Sequence, residues 1–317
     1  MKNASIIFRS PLLKIQNYFS QNPTKNCFVL VDENTRIHCL KQLRLTLPDL
    51  HLKIIEIPSG EENKSLKTTN LVWSFLSENK ADRQSVLINL GGGVLTDLGG
   101  FAASTYKRGI PFINIPTTLL AMVDASAGGK NGIDFQGLKN QIGTFTQPEM
   151  VIILPKFLKT LDQRQLYSGL AEMLKHGLIA DEDHWKKLIS LTEHNAKTLK
   201  GLIEDSINIK LKIVKEDPYE KGLRKILNFG HTFGHAIESE FLSTDKPLLH
   251  GEAIVIGMIL ESILSWQLGI LHEQDLETIL AGFASIYGKP QNIDFCLHPA
   301  ILQWLQHVLC SSCRVVT

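Results

Sequence analysis

The stretch VLINLGGGVLTDLGG, residues 86–100, decides the fold of this chain. Residues 86–90 suit a buried strand, residues 91–93 are three glycines, and the following residues suit the start of a helix. Glycines let a backbone approach a pyrophosphate, and a helix N-terminus offers N–H donors and the positive end of its dipole. The spacing departs from G-x-G-x-x-G, and Asp97 lies within the helix, so close packing also explains these glycines. The stretch predicts a strand–turn–helix unit whose glycines either bind a nucleotide or allow close packing.

Short apolar runs of this kind recur through the first half of the chain, alternating with helix-like stretches such as 65–79. They lie at 27–31, 54–57, 112–115 and 151–154. This alternation predicts βαβ units and a largely parallel sheet. After Pro155, amphipathic stretches follow at 162–179, 184–215, 231–242 and 253–271, the first opened by a capping box from Thr160 to Gln163. We expect an α/β domain at 1–155 and an all-α domain at 156–317.

Composition narrows the class of protein. Lys and Arg total 33 against 32 Asp and Glu in 317 residues, and 44% are hydrophobic, which argues against a nucleic-acid carrier and against a disordered chain. The N-terminus lacks a secretory apolar region, and the apolar run 253–260 is too short for a membrane span. Five scattered cysteines indicate reduced thiols and a cytoplasmic location. Cys310 and Cys313 form a C-x-x-C without a second pair, so we expect no zinc site there.

Three histidines and a glutamate have the character of metal ligands. His231 and His235 are four residues apart, on one face of a helix, but Thr232 stands where a metalloprotease has its general base. His250 precedes an apolar helix, and Glu172 lies in an otherwise apolar helical turn, where it must be solvated, paired or metal-bound. Two histidines and one glutamate predict an open catalytic site, although each residue alone also suits a surface or a satisfied core position.

Cations and amides accompany these residues. Arg224, Asn228, His231 and His235 follow one another at spacings of four, three and four, which predicts one continuous helical stripe. Together with Lys130, Lys139, Lys175 and Lys210 they suit a polyanionic substrate such as a phosphorylated acid. A solvated helix face is the alternative.

These segments together resemble the 3-dehydroquinate synthase family, the sugar-phosphate cyclases of the shikimate pathway. The resemblance is carried by GGGVLTDLGGFAASTYKRG (91–109), IPTTLLAMVDASAGGKNGID (115–134), GLKNQIGTF (137–145), FLKTLDQRQLYSGLAEMLKHGLI (157–179), GLRKILNFGHTFGHAIE (222–238) and LLHGEAI (248–254). It implies a Rossmann-like N-terminal domain, a helical C-terminal domain and a site between them.

The resemblance also implies cofactors and residue roles. The implied NAD-binding residues are Asp32, Ser59, Gly60, Glu61, Lys64, Gly93, Val94, Asp97, Thr117, Thr118, Lys130, Lys139, Phe157 and Thr160. The implied ligands of a zinc or cobalt ion are Glu172, His231 and His250. The implied substrate-site residues are Asp124, Lys130, Asn140, Lys175, Lys210, Arg224, Asn228 and His235. Arg108 matches an arginine that the family inserts into the neighbouring subunit, so the resemblance implies a homodimer.

The implied reaction converts 3-deoxy-D-arabino-heptulosonate 7-phosphate to 3-dehydroquinate and phosphate. NAD oxidises a ring hydroxyl, phosphate is eliminated, the hydride returns, and an aldol step closes the carbocycle. The chain departs from the family at its C-terminus, where the last lysine is Lys289 and an expected Asp-Lys-Lys run is missing. A truncated end, a divergent cyclase acting on another sugar phosphate and an inactive homologue all stay open, as does a polyol dehydrogenase, which would accumulate NADH.

Overall fold

The computed structural model describes residues 5–24, 26–125, 128–136, 138–218, 220–241, 244 and 247–288. Its strands are β1 (Ser5–Ile7), β2 (Cys27–Val31), β3 (Leu52–Glu56), β4 (Val86–Gly91), β5 (Phe112–Pro116), β6 (Lys130–Phe135), β7 (Leu138–Phe145) and β8 (Met150–Ile152). Its helices are α1 (Pro11–Gln21), α2 (Glu33–His38), α3 (Leu40–Thr46), α4 (Leu66–Glu78), α5 (Gly93–Thr105), α6 (Gln163–Ala180), α7 (Glu182–Ile189), α8 (Lys200–Glu216), α9 (His231–Phe241), α10 (His250–Gln267) and α11 (Glu273–Tyr287).

The predicted parallel sheet is confirmed. In the described residues it has six strands in the order β1-β8-β5-β4-β2-β3, and every neighbouring pair is parallel. All residues of β2, β4 and β5 are buried. Their near-continuous apolar sequences follow from this, because helices cover both faces of a parallel sheet.

The core of the sheet lies beside helices α4 and α5. Phe28 of β2, Leu87 of β4 and Leu98 of α5 are all fully buried in one hydrophobic cluster. Helix α5 lies against β4 because it carries glycine there: a Cβ on Gly99 would lie 2.0 Å from Oδ1 of Asn89. The helix that follows the glycine turn is thus held tightly against the strand that precedes it.

The antiparallel hairpin β6–β7 was not predicted. Its register pairs Lys130 with Phe145 and Ile133 with Ile142. The segment is polar and contains glycines, so it lacks the apolar run by which the other strands were found. Strand β7 alternates between exposed and half-buried residues, which is the pattern of a strand with one solvated face.

Two predictions about the helical half were wrong in detail. Helix α6 is capped by Asp162, whose Oδ1 accepts hydrogen bonds from the backbone N–H groups of Arg164 and Gln165 at 2.9 and 3.3 Å, whereas Thr160 ends a preceding 3-10 turn. The predicted helix 184–215 is divided into α7 and α8. Between them, Oδ1 of Asn195 accepts hydrogen bonds from the N–H groups of Lys197 and Thr198 and replaces the helical pattern.

The chain divides into two compact units, Met1–Leu227 and Asn228–Thr317. Helices α6, α7 and α8 therefore belong to the same unit as the sheet. The change from strands to helices does occur at Pro155, but a domain boundary at 155 stays a prediction. No helix in the described part of the chain combines the length and the apolar character that a membrane crossing requires.

Candidate active site

The sheet has its topological switch point between β2 and β4. The chain passes from β2 to β3 on one side and then returns to build β4 on the other side of β2. The loops that leave the carboxyl ends of β2 and β4 therefore diverge, and this is where open α/β sheets bind ligands. Asp32 follows β2 directly, β4 ends at Gly91, and helix α5 begins at Gly93.

The three glycines of this turn differ in their surroundings. A Cβ on Gly91 would lie 2.1 Å from Cδ1 of Leu95, and one on Gly92 would lie 3.1 Å from Cγ2 of Thr118. A Cβ on Gly93, the first residue of α5, would meet nothing within 4 Å. Packing thus explains Gly91, whereas Gly93 leaves open space at a helix N-terminus.

Asp32 has a structural role in the chain. Its Oδ1 accepts hydrogen bonds from the N–H and the hydroxyl of Thr35 at 2.7 and 2.9 Å, and so caps helix α2. Thr117, after β5, donates its N–H to the carbonyl of Gly91 at 3.0 Å, so the loops after β4 and β5 are joined.

Lys64 connects the loop after β3 with α5 and the hairpin. Its buried Nζ donates to Oδ2 of Asp97 at 2.8 Å and to Oδ1 of Asn140 at 2.6 Å. Burial lowers the pKa of Lys64, but Asp97 and then Glu61 raise it by more, so the net pKa is raised. Lys64 therefore stays charged, and it contacts two other predicted site residues, Asp97 and Asn140.

Other residues of the predicted NAD set lie at the same edge or nearby. Ser59 donates its hydroxyl to Glu33, Gly60 has a φ of 106°, and Thr118 accepts a hydrogen bond from the N–H of Ala121 at 3.1 Å. Phe157 is buried and lines an apolar cavity, and Thr160 donates its hydroxyl to the Phe157 carbonyl at 3.3 Å. Val94 and Lys139 are half-buried.

A second group, which we call the buried charge cluster, contains four predicted residues and His176, which was not predicted. The predicted members are Asp124, Glu172, Lys175 and Lys210. Glu172 and Lys175 form an ion pair in which both residues are at most 1% exposed. Nζ of Lys210 donates to the backbone carbonyl of Asp124 at 2.9 Å and forms an ion pair with its carboxylate. One ligand atom each from Asp124, Glu172 and His176 lies within 4.8 Å of the other two.

The pKa values of the cluster follow from these pairs. Burial raises the pKa of Asp124, but Lys210 and then Lys175 lower it by more, so the carboxyl stays ionised. Burial and the neighbouring Lys175 lower the pKa of His176 to about 3, so this ring is neutral. Nδ1 of His176 lies 2.6 Å from Oγ of Ser206, a contact between α6 and α8 that the sequence did not reveal.

Two further predicted cations of the first unit, Lys130 and Arg224, also have polar partners. Nζ of Lys130 lies 2.9 Å from Oε2 of Glu220. Arg224 is buried, and its Nη1 donates to the carbonyl of Pro218 at 2.9 Å. Its Nη2 would lie 3.1 Å from a Cβ on Gly128, so a glycine there makes room for the guanidinium. The predicted cations Lys130, Lys210 and Arg224 therefore each hold a carboxylate or a carbonyl in the folded chain.

The predicted helical stripe is interrupted. Residues 223–228 form a 3-10 turn, Gly230 has a φ of 81°, and helix α9 begins only at His231. A continuous stripe from Arg224 to His235 is therefore wrong. The division between the units also falls here, so Arg224 belongs to the first unit and the exposed Asn228 to the second.

The second unit brings together His231, His235 and His250, which we call the histidine trio. Their ring centroids are 5.0, 5.5 and 5.9 Å apart. Two imidazoles on one tetrahedral zinc ion have centroids about 5 Å apart. The 5.5 Å between His231 and His250 therefore fits a shared ion. Glu172, the third predicted ligand, belongs to the first unit, and the complete ligand set stays a prediction.

Two carboxylates of the second unit escaped the sequence reasoning. Oε2 of the buried Glu238 lies 3.3 Å from Nδ1 of His250. Oε2 of Glu261 accepts a hydrogen bond from the N–H of Gly230 at 2.8 Å and so secures the start of α9. The spacing of seven from His231 to Glu238 puts both on one helical face, a signal that was available in the sequence.

Arg108 lies on an exposed turn after α5. Lys107, Arg108 and Gly109 have φ values of 50, 68 and 113°, all in the left-handed region. Non-glycine residues adopt this conformation at some cost, and such positions cluster at functional sites. The turn presents Arg108 on the surface of the first unit.

Comparison with known proteins places the chain in a family. Residues 54–168 match the N-terminal part of 3-dehydroquinate synthases and residues 169–307 match the C-terminal part. The chain is 44% identical to the 3-dehydroquinate synthase of Parabacteroides distasonis over 257 residues, which are 80% of this chain and 73% of that protein.

Two solved cyclases share the fold. The 2-epi-5-epi-valiolone synthase of Streptomyces hygroscopicus, with NAD+ and Zn2+ bound, aligns with a TM-score of 0.82 and 29% identity over 97% of this chain and 88% of that one. A 2-deoxy-scyllo-inosose synthase complexed with carbaglucose-6-phosphate, NAD+ and Co2+ aligns with a TM-score of 0.82 and 26% identity over 96% and 84%. Their bound groups are of the kinds that the sequence resemblance implied. The chain belongs to the 3-dehydroquinate synthase family.

Proposed function

We propose that this chain converts 3-deoxy-D-arabino-heptulosonate 7-phosphate to 3-dehydroquinate and phosphate, with NAD and a divalent metal as cofactors. The match of both parts of the family along residues 54–307 carries this proposal. Identity to a 3-dehydroquinate synthase is 44%, against 29% and 26% to the two cyclases that form other products. The sequence therefore favours 3-dehydroquinate synthase activity over the activity of a divergent cyclase.

NAD binds, in this proposal, across the switch point between β2 and β4. The open space at Gly93 and the N-terminus of α5 suit the pyrophosphate. Asp32, at the end of β2, suits a ribose hydroxyl, because a carboxylate at this position of such folds accepts that hydrogen bond. Lys64 and Asp97 hold the adjoining loop and α5 in place.

Glu172, His231 and His250 are the proposed metal ligands. Histidine nitrogen and carboxylate oxygen are ligands that zinc accepts in catalytic sites with one open position. When bound, NAD supplies a reversible hydride acceptor and the metal supplies a Lewis acid for a substrate oxygen. Glu172 forms a buried ion pair with Lys175, so its carboxylate already lies beside a cation in the folded chain.

The cations bind and orient the substrate in this proposal. Lys130 and Lys210 now hold Glu220 and Asp124, and Arg224 holds a carbonyl. A substrate with a carboxylate and a phosphate offers stronger acceptors to the same donors, which are aimed before it arrives. Asn140, Asn228 and His235 add further hydrogen-bonding groups. Positioning rather than acid–base chemistry is thus the main work of these side chains.

Finer assignments rest on the same family. We propose a phosphate-eliminating lyase that works as a homodimer, in which Arg108 on its left-handed turn reaches the partner's site. The free thiols of the buried Cys27 and Cys39 suit a cytoplasmic location, where thiols stay reduced.

A coupled phosphate-release assay tests the proposal. The purified chain, supplied with NAD, Co2+ and the heptulosonate phosphate, is expected to release one phosphate per turnover without accumulating NADH, and EDTA is expected to stop it. Accumulation of NADH would indicate a polyol dehydrogenase. Absence of phosphate release from a folded, metal-loaded sample would overturn the proposal.

A pair of glycine variants tests the cofactor site. Gly93→Ala is expected to leave the free energy of unfolding within about 0.5 kcal/mol of wild type, since its Cβ meets open space, yet to weaken NAD binding about tenfold or more in calorimetry. Gly91→Ala is the control, expected to lose about 1–3 kcal/mol by overpacking against Leu95. Unchanged NAD affinity in Gly93→Ala would exclude a pyrophosphate at this turn.

A further inference from the structure

We infer that Glu238 is a positioning residue for the metal site: its carboxylate accepts a hydrogen bond from Nδ1–H of His250 and so turns Nε2 of that ring toward the ion. This inference rests on the proposed role of His250 as a metal ligand. Glu238 itself is outside the proposed ligand set and would act only through His250.

Both partners of the contact between Glu238 and His250 lie on helices. Oε2 of Glu238 lies 3.3 Å from Nδ1 of His250, and Glu238 is only 6% exposed. Helix α9 carries the carboxylate, whereas His250 is the first residue of α10. The N–H of Leu249 is bound at 2.8 Å by Oε2 of Glu252, which fixes the backbone next to His250. With its backbone fixed and one ring nitrogen held, the imidazole has a defined direction.

The second proposed histidine ligand is held through the same nitrogen. Nδ1 of His231 lies 3.3 Å from the carbonyl oxygen of Phe229. When each Nδ1 carries the proton that these acceptors require, Nε2 is the unprotonated nitrogen of both rings. Metal-bound histidines commonly donate their other N–H to a carboxylate or a carbonyl in this way.

The two acceptors differ in charge, and this separates their roles. A backbone carbonyl fixes the ring of His231 and its tautomer. The carboxylate of Glu238 does the same for His250 and also raises the basicity of the imidazole, which strengthens its bond to a cation. Glu238 is therefore expected to contribute to metal affinity and not only to packing.

The first experiment measures Co2+ binding to the full-length, metal-stripped protein by calorimetry. Removing such outer carboxylates weakens metal binding by about 10- to 100-fold. We expect Glu238→Gln, whose amide oxygen still accepts the Nδ1–H bond, at the lower end and Glu238→Ala at the upper end. Glu240→Gln, an exposed substitution on the same helix, is the matched control and is expected to bind like wild type. The metal-free Glu238→Gln protein should unfold at the wild-type temperature.

The second experiment reads the ring nitrogens directly. In 15N-histidine NMR of the Zn2+-loaded protein, His250 is expected as the Nδ1–H tautomer with Nε2 bound to the ion. In a separate measurement, the visible spectrum of the Co2+-loaded Glu238→Gln protein should keep the intensity of the wild-type spectrum. Wild-type affinity in both Glu238 variants, or an Nε2–H tautomer of His250, would overturn the inference while leaving the metal site intact. Loss of a ligand band in the Co2+ spectrum of Glu238→Gln would overturn it by making Glu238 a direct ligand. Failure of the wild-type protein to bind Co2+ would instead overturn the proposed metal site.

Discussion

The buried charge cluster of the first unit and the histidine trio of the second hold their polar groups in opposite ways. In the cluster, Glu172, Lys175 and His176 are at most 1% exposed, and the charged residues are held by one another. In the trio, His231 and His250 are half-buried and His235 is exposed, and the described contacts of the rings are single hydrogen bonds or ring contacts. The charges of the cluster are thus paired within the folded unit, whereas the trio is a group of partly exposed imidazoles.

The difference has an energetic side. Removing one member of a buried ion pair leaves an uncompensated charge, which costs much more than the pair contributes. Truncating a half-buried histidine lowers the free energy of unfolding only a little. A bound ion, in contrast, raises the free energy of unfolding by mass action. The cluster should therefore be sensitive to mutation in the metal-free protein, and the trio only in the presence of the ion.

The largest expected effect is that of Lys175→Ala. It leaves the buried carboxylate of Glu172 without its cation and should lower the free energy of unfolding by about 3–5 kcal/mol in urea titrations. Lys186→Ala is the control, because Lys186 and Glu182 form an exposed pair with side chains 62% and 77% exposed. Its expected cost is about 0.5 kcal/mol or less. Equal effects of the two substitutions would remove the distinction between the cluster and an ordinary surface pair.

His231→Ala should have the intermediate effect, and only with metal present. Wild type at a free Zn2+ concentration 100 times the dissociation constant should gain about 2.7 kcal/mol over its EDTA-treated form. The variant should show no such gain, while its metal-free stability stays within about 0.5 kcal/mol of wild type. Urea titrations with and without EDTA measure both quantities. Retention of the metal-dependent gain would remove His231 from the ligand set.

The sheet was readable from the sequence because its central strands are unusual in composition. Strands β2 and β4 are buried along their whole length, so each is a near-continuous apolar run in the sequence. The hairpin β6–β7 was missed because a half-solvated, glycine-containing segment has no such run. The break between α7 and α8 was missed because the turn at Asn195 is set by side-chain hydrogen bonds within an otherwise amphipathic stretch.

The site was readable only in part for a related reason. Spacing within one helix is visible in a sequence, so the pairs His231–His235 and Glu172–Lys175 lay on predictable faces. Pairing between distant segments is not visible: Lys210 and Asp124 are 86 residues apart and meet only in the folded unit. The sequence therefore identified both Lys210 and Asp124 as site residues but not the ion pair that they form.

The smallest expected effect concerns the acid side of the stability profile, and it tests whether Lys210 sets the charge of Asp124. The pKa of Asp124 is lower in the folded chain than in the unfolded one, so the unfolded chain binds more protons as the pH falls through the range between them. The stabilisation is complete above the unfolded pKa and is lost as the pH falls toward the folded one. Lys210→Met removes the largest contribution that lowers this pKa, so stability should fall less between pH 5 and pH 3 than in wild type. Urea titrations at these pH values measure the slope, with Lys212→Met on the same helix as a control of equal charge change. An unchanged slope in Lys210→Met would mean that Lys175 alone keeps Asp124 ionised, and the cluster would then be held together by fewer pairs than its geometry indicates.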